Sequence, residues 1–287
     1  MAIDSAKLRT KIEAIESLPT LPTVVSKILE ATRNPKADAN MIGKILMQDA
    51  ALCSKILKLV NSSFYGFPGK IKTITHAIVI LGFGKVTNIA IATSVFDMSK
   101  KAASDEFQVG AFWEHSLCTA IVARVLAKKK KAGDPEEFFI GGLLHDLGKM
   151  IMYEFIPQLS AKVYEIRTQK DCLIIESEMA IMGFTHARIG EWIGAKWKLP
   201  DAIQNAIRYH HSPDKIKASQ DIVYAAHLGD IIARLMGVGS GGDDRLPPIS
   251  ATVWKAWKLS PDFISDVVDE VKVELVKAKP FFDLIPK

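Results

Sequence analysis

Asp134-Pro135-Glu136-Glu137-Phe138-Phe139-Ile140-Gly141-Gly142-Leu143-Leu144-His145-Asp146-Leu147-Gly148-Lys149 is the stretch on which the fold class turns. Its first four residues are a helix start of capping acid, proline and two further acids. The apolar run behind them predicts a helix over Phe138 to Met150, carrying the pair His145-Asp146 and, one turn later, Lys149.

Helical patterns continue on both sides. Upstream, Phe107 to Lys131 places Phe112, Trp113, Leu117, Ile121, Val125 and Leu126 at the spacing of an amphipathic helix. Downstream, helices are expected at Leu159 to Thr168, Cys172 to Met182, His186 to Trp197, Pro200 to Tyr209 and Gln220 to Met236. Gly237 to Asp244 reads as a mobile glycine-rich loop, and Ser260 with Pro261 opens a last helix to Lys277. The first third has shorter helices: Ala6 to Ser17, one with Pro22 at its first position that stops near Asn34-Pro35, Ala39 to Gln48 capped by Asp38, and Ala50 to Val60 opened by Asp49. After the turn-rich Asn61 to Gly69 come Ile74 to Leu81 and Lys85 to Phe96. No run of alternating β-branched residues competes with these patterns, so the class is all-α. The polar segment Lys100 to Asp105 is the expected boundary, dividing the chain into residues 1–104, 105–236 and 237–287.

Composition sets the outer limits. The 287 residues, 48% of them hydrophobic, suffice for a sizeable core. A net charge of +5, from 37 basic and 32 acidic side chains, suits anionic ligands and is too mild for a dedicated nucleic-acid binder. Three scattered cysteines, Cys53, Cys118 and Cys172, argue for a reducing compartment. Met1 to Thr10 shows no signal core, and Gly82, Gly84, Lys85 and Asn88 interrupt the apolar stretch Ala77 to Val95, so no membrane span is expected and the cytoplasm is the default location.

The chemistry lies in the histidines. His115, His145-Asp146, His186, His210-His211 and Asp230 follow one another along the second half. Neutral imidazole and carboxylate together suit iron, manganese or zinc. A carboxylate can bridge two ions, and a water on such a site loses a proton near pH 7. Neighbouring residues in a helix point about 100° apart, so each adjacent pair can meet one site only near a helix end.

That order of ligands resembles the HD superfamily of metal-dependent phosphohydrolases, and its HD-GYP branch in ligand pattern. The chain as a whole is more similar to the HDOD family. The cues are Leu18-Pro19-Thr20-Leu21-Pro22, Gln48-Asp49-Ala50-Ala51-Leu52, Leu59-Val60-Asn61-Ser62-Ser63-Phe64-Tyr65-Gly66, Ala77-Ile78-Val79-Ile80-Leu81-Gly82 and Phe112-Trp113-Glu114-His115-Ser116-Leu117, with His145 to Lys149. The resemblance implies a multi-helix bundle in two halves. It also implies one metal ion held by His115, His145, Asp146 and Asp230, and a second by Asp146, His186, His210 and His211. Asp146 and Lys149 would be the catalytic residues, Lys149 meeting substrate phosphate. The sequence departs from the HD-GYP branch after the paired histidines, where Ser212-Pro213-Asp214-Lys215 replaces a Gly-Tyr-Pro motif, which speaks against cyclic di-GMP hydrolysis. Ala111 stands where a Glu would serve a third metal.

The resemblance implies a bacterial signalling protein with one or two divalent ions and a protein partner, its input and output coming from separate proteins. Two alternatives stand beside it: an active phosphodiesterase acting on a nucleotide or cyclic dinucleotide, and a non-catalytic interaction module with a vestigial site. His227, one turn before Asp230, is expected to pack or to support a ligand. Lys128 to Lys131 reads as a solvated run at a helix C-terminus, and Phe281-Phe282 as packing back onto the body.

Overall fold

The computed structural model describes residues 10, 21–34, 37–98, 108–242 and 245–285, and among them every regular element is a helix. The expected helix over Ala6 to Ser17, the Leu18-Pro19-Thr20 cue and the boundary at Lys100 to Asp105 lie outside the described residues. Among those described, no helix is long and apolar enough to cross a membrane.

The first group is α1 (Thr23–Thr32), α2 (Ala39–Leu46), α3 (Ala50–Val60), α4 (Ile74–Leu81) and α5 (Phe83–Met98). Their starts follow the capping chemistry: the side chains of Asp38, Asp49 and Thr73 accept from the backbone N–H of Met41, Leu52 and His76. Pro22 sits just outside α1, as its N-cap, rather than inside it.

At the centre lies α6 (Val109–Lys130). The sequence pattern predicts one apolar stripe on this helix, yet every residue from His115 to Ala127 is buried. The reason is packing. Helices α7 (Pro135–Leu144), α13 (Gln220–Leu235) and α15 (Pro261–Lys277) all lie against it, so few directions are left for solvent.

The expected helix Phe138 to Met150 is two helices. It breaks at His145-Asp146 between α7 and α8 (Leu147–Phe155), with Asp146 at φ −97° and ψ 12°. Around these run α9 (Pro157–Lys170), α10 (Ile174–Met182), α11 (His186–Lys196) and α12 (Asp201–Tyr209). Two glycines allow the close approach. A Cβ on Gly148 would overlap the carbonyl oxygen of His186 on α11, and one on Gly142 would press on the α6 backbone at Thr119 and Ala120.

In the C-terminal part, α15 and α16 (Lys279–Phe282) fold back over α6, while α14 (Ala251–Ala256) packs on the helical turn Pro213–Lys215. Ser260 caps α15 by accepting from Phe263 N–H. Phe281 is fully buried, with its ring 5.1 Å from that of Phe64 and 5.6 Å from that of Phe139. The Asn61 to Gly69 connector is thereby structural: Phe64 joins the first group of helices to α7 and α16. In the lysine run at the end of α6, Lys128 and Lys129 are exposed and Lys130 is half-buried. Lys129 pairs with Glu270 at 3.1 Å, and Lys130 donates to Trp257 O with its ammonium 4.0 Å over the Phe263 ring.

Candidate metal centre

His115 comes from α6, His145 and Asp146 from the α7–α8 break, His186 from the first turn of α11, His210 and His211 from the end of α12, and Asp230 from α13. The structure brings them together. His115, His145, Asp146 and Asp230 offer ligand atoms within 4.8 Å of one another, and so do Asp146, His186, His210 and His211. Both adjacent pairs stand where a helix ends. Asp146 leaves helical geometry while His145 and His210 keep it, and at each helix end consecutive side chains can face one point.

Hydrogen bonds on the far side of the rings set the tautomers. His145 Nδ1 donates to Gly142 O at 2.7 Å, and His210 Nδ1 to Ile207 O at 2.8 Å. A carbonyl only accepts, so in the neutral ring Nε2 carries the lone pair. Those lone pairs face carboxylate oxygens. His145 Nε2 lies 3.2 Å from Asp146 Oδ2, and His210 Nε2 lies 3.5 Å from Asp146 Oδ1. Acceptor thus faces acceptor. His115 Nε2 is likewise 3.1 Å from Asp230 Oδ1, yet no hydrogen bond is aligned at either nitrogen of His115, at His145 Nε2, at His211 Nε2 or at Asp146 Oδ1. Buried acceptors turned toward one point repel one another unless a cation stands between them. The donor set, imidazole nitrogen with carboxylate oxygen, therefore fits divalent metal.

Protonation favours the same state. Burial would raise the Asp146 carboxyl, but His145, Lys149 and His186 hold it well below the usual range. Asp230, also buried, is held low by Arg234 and His115. Burial lowers His115, brings His210 down to about 4 and takes His211 further below its usual value, keeping these rings neutral and able to ligate. His186 goes the other way. Burial is the largest single influence and lowers it, but the Glu178 charge together with the charge and hydrogen bond of Asp146 outweighs burial and raises it.

Glu178 is a site residue that the sequence reading missed. Its carboxylate accepts from His186 Nδ1 at 2.8 Å and from His186 N–H at 2.9 Å, aiming Nε2 to 2.9 Å from Asp146 Oδ1. Arg234 was missed too; its Nε donates to Asp230 Oδ1 at 2.7 Å. The spacing of Arg234 four residues after Asp230 is a signal that could have found it. Nothing in the sequence ties Glu178 to His186. His227 supports the site from outside, donating from Nδ1 to His210 O at 2.7 Å while Nε2 accepts from Ser250 N–H at 3.0 Å.

Lys149 is buried, its ammonium donating to Asp146 Oδ2 and Gly241 O, each at 2.7 Å. The glycine-rich segment after α13 is held down rather than loose through residue 242. Ser240 N–H donates to Ala111 O at 2.9 Å, and Gly239 lies so close to α6 that a Cβ would overlap Ala111 O and His115 N. That contact occupies the side of α6 that carries Ala111.

The HDOD domain family matches residues 18–213. A protein of Treponema pallidum (strain Nichols) is 28% identical over 72% of this chain, which spans 40% of that relative's length. In the Bacillus subtilis protein YuxH, 26% identical over 47% of this chain, the match covers 33% of the relative. Among solved structures, an HDOD domain protein of Geobacter sulfurreducens superposes with a TM-score of 0.79 at 22% identity, covering 97% of both chains. A "Putative phosphohydrolase" of Shewanella amazonensis gives 0.74 at 21%, covering 98% of both. A "Putative signal transduction protein" of Marinobacter aquaeolei gives 0.77 at 20%, covering 97% of this chain and 65% of the other. At these identities the superpositions speak to the fold.

Proposed function

We propose, since this chain belongs to the HDOD domain family, that it is a signal-transduction protein whose second half holds two divalent metal ions in a phosphohydrolase-type site. The observation that carries the reading is the set of buried imidazole and carboxylate acceptors turned on one another around Asp146. His115, His145, Asp146 and Asp230 would hold one ion, and Asp146, His186, His210 and His211 the other. Such a pair of ions polarises a phosphoryl oxygen and activates water for attack on phosphorus.

The chain's own residues prepare that chemistry. Gly142 O, Ile207 O and Glu178 fix three imidazoles in the ligating tautomer before any ion arrives. Lys149 holds Asp146 and has a third ammonium hydrogen to offer a phosphate oxygen. Helix α6 links the site to the rest of the body: His115 is on it, and nine residues later Arg124 meets Glu136 of α7 and Glu274 of α15. Metal or ligand at the site would thereby bias the packing that a partner protein reads.

A second reading, a signalling module whose metals stabilise the bundle and turn over no substrate, is favoured by depth. The side chains of His145, Asp146, His186 and His210 are completely inaccessible.

Metal analysis of the purified protein tests the reading. The expected result is about two equivalents of iron, manganese or zinc, lost in Asp146→Asn. Divalent ion at about 100 times its Kd should stabilise the wild type by about 2.7 kcal/mol, with no increment in the variant. Metal-free protein whose melting ignores added ions would end the proposal. Turnover of a panel of nucleotides and cyclic dinucleotides, abolished by Asp146→Ala, separates the enzyme from the module.

A further inference from the structure

Of the residues in the metal-type cluster, His211 is the most exposed. His211 is about one-tenth exposed and also lines a cavity of about 540 Å³ between α10, α11 and the end of α12. That volume suits a small organic ligand and exceeds what a bare inorganic anion fills.

The lining has two characters. On one side Ile175, Met179 and Phe184 form an apolar wall; Met179 is half exposed at it, and the Phe184 ring is braced edge-on against Trp192 at 5.4 Å. On the other side lie Arg208 and Lys215. Lys215 is exposed. Arg208 is 3.2 Å from Glu191 Oε2, but Arg188 claims the same oxygen at 2.6 Å, so two guanidinium groups share one carboxylate. Glu176 is the acid on the lining, and it is engaged, accepting from Leu173 N–H at 2.8 Å. The first turn of α11 borders the cavity through Thr185 and Ala187, its His186 N–H already taken by Glu178, and beside it His211 Nε2 has no hydrogen-bond partner.

We propose that this cavity binds an organic phosphate bearing a flat apolar group, such as a nucleotide. The phosphate would lie against Arg208 and Lys215, the flat group against Phe184 and Met179, with His211 as the link to the metals. The link rests on the function proposed above; the cavity's affinity does not.

Calorimetry with adenosine 5′-monophosphate, adenosine and inorganic phosphate tests it, with metal content measured on the same samples. The nucleotide should bind at least tenfold more tightly than either fragment. Arg208→Gln with Lys215→Gln should weaken it at least tenfold, Lys215→Gln alone should weaken it measurably, and Phe184→Leu should weaken the nucleotide but not phosphate. Nucleotide binding unchanged in Lys215→Gln and in the double variant, or absent at millimolar concentration, overturns the proposal. Full metal content without nucleotide binding would refute the cavity and leave the metal reading standing. Nucleotide binding that needs Arg208 in protein free of metal would do the reverse.

Discussion

Helix α6 carries two buried polar assemblies about 13 Å apart along its axis, and they are built on opposite rules. Around Arg124 the chain meets its own charge. The guanidinium Nε is 3.0 Å from Glu136 Oε1 and Nη1 is 3.5 Å from Glu274 Oε2, while its carbon lies 4.1 Å over the Phe64 ring. Glu136 also accepts from Tyr65 Oη–H at 3.3 Å, and its backbone carbonyl from Asn88 at 3.2 Å. Around His115 acceptors face acceptors, and several nitrogens have no hydrogen bond. Both assemblies are expensive to bury. In the first, opposite charges supplied by the chain meet, although the Arg124 Nε–Glu136 contact is an ion pair without an aligned hydrogen bond. The second, on the function proposed above, would be completed by metal ions that the chain does not supply, and that contrast is what marks it as a candidate binding site.

The contrast can be broken at three strengths. Arg124→Ala strands the buried Glu136 without its cation and should cost about 3–5 kcal/mol in denaturant unfolding, with metal content per folded molecule unchanged. Loss of metal along with stability would mean that the two assemblies are one cooperative unit. Glu178→Gln keeps the shape but removes the charge that orients His186. Metal affinity, read by competition with a chelator, should fall about 10- to 100-fold, and an unchanged affinity would show that Glu178 serves folding alone. The smallest effect is expected at the helix that delivers Glu274. Ser260→Ala removes the α15 cap and should cost about 1 kcal/mol, with no change in metal affinity.

Much of this was legible in one dimension, for identifiable reasons. Asp38, Asp49 and Ser260 act within three residues of themselves, so the starts of α2, α3 and α15 could be placed from local chemistry. The break at His145-Asp146 could not, because the apolar pattern runs through it; close packing of Gly148 on α11 is a long-range contact. The complete burial of α6 was hidden for a similar reason, since periodicity reports one apolar face and not how many neighbours surround a helix. Among site residues, the histidines and aspartates stood out by type and order. Glu178 did not, because an acid in an amphipathic helix looks like any solvated carboxylate until its partner is known.

Amino-acid order alone established the helical class, most of the helix starts and the candidate ligands, since capping and hydrophobic spacing act over a few neighbouring residues. Tertiary structure decided that seven candidate ligands scattered over more than a hundred positions converge, that Lys149 is held by Asp146 and Gly241, and that His211 lines a cavity. Those facts depend on the angle at which helices cross and on which carbonyl orients each ring, and neither is encoded within a few residues.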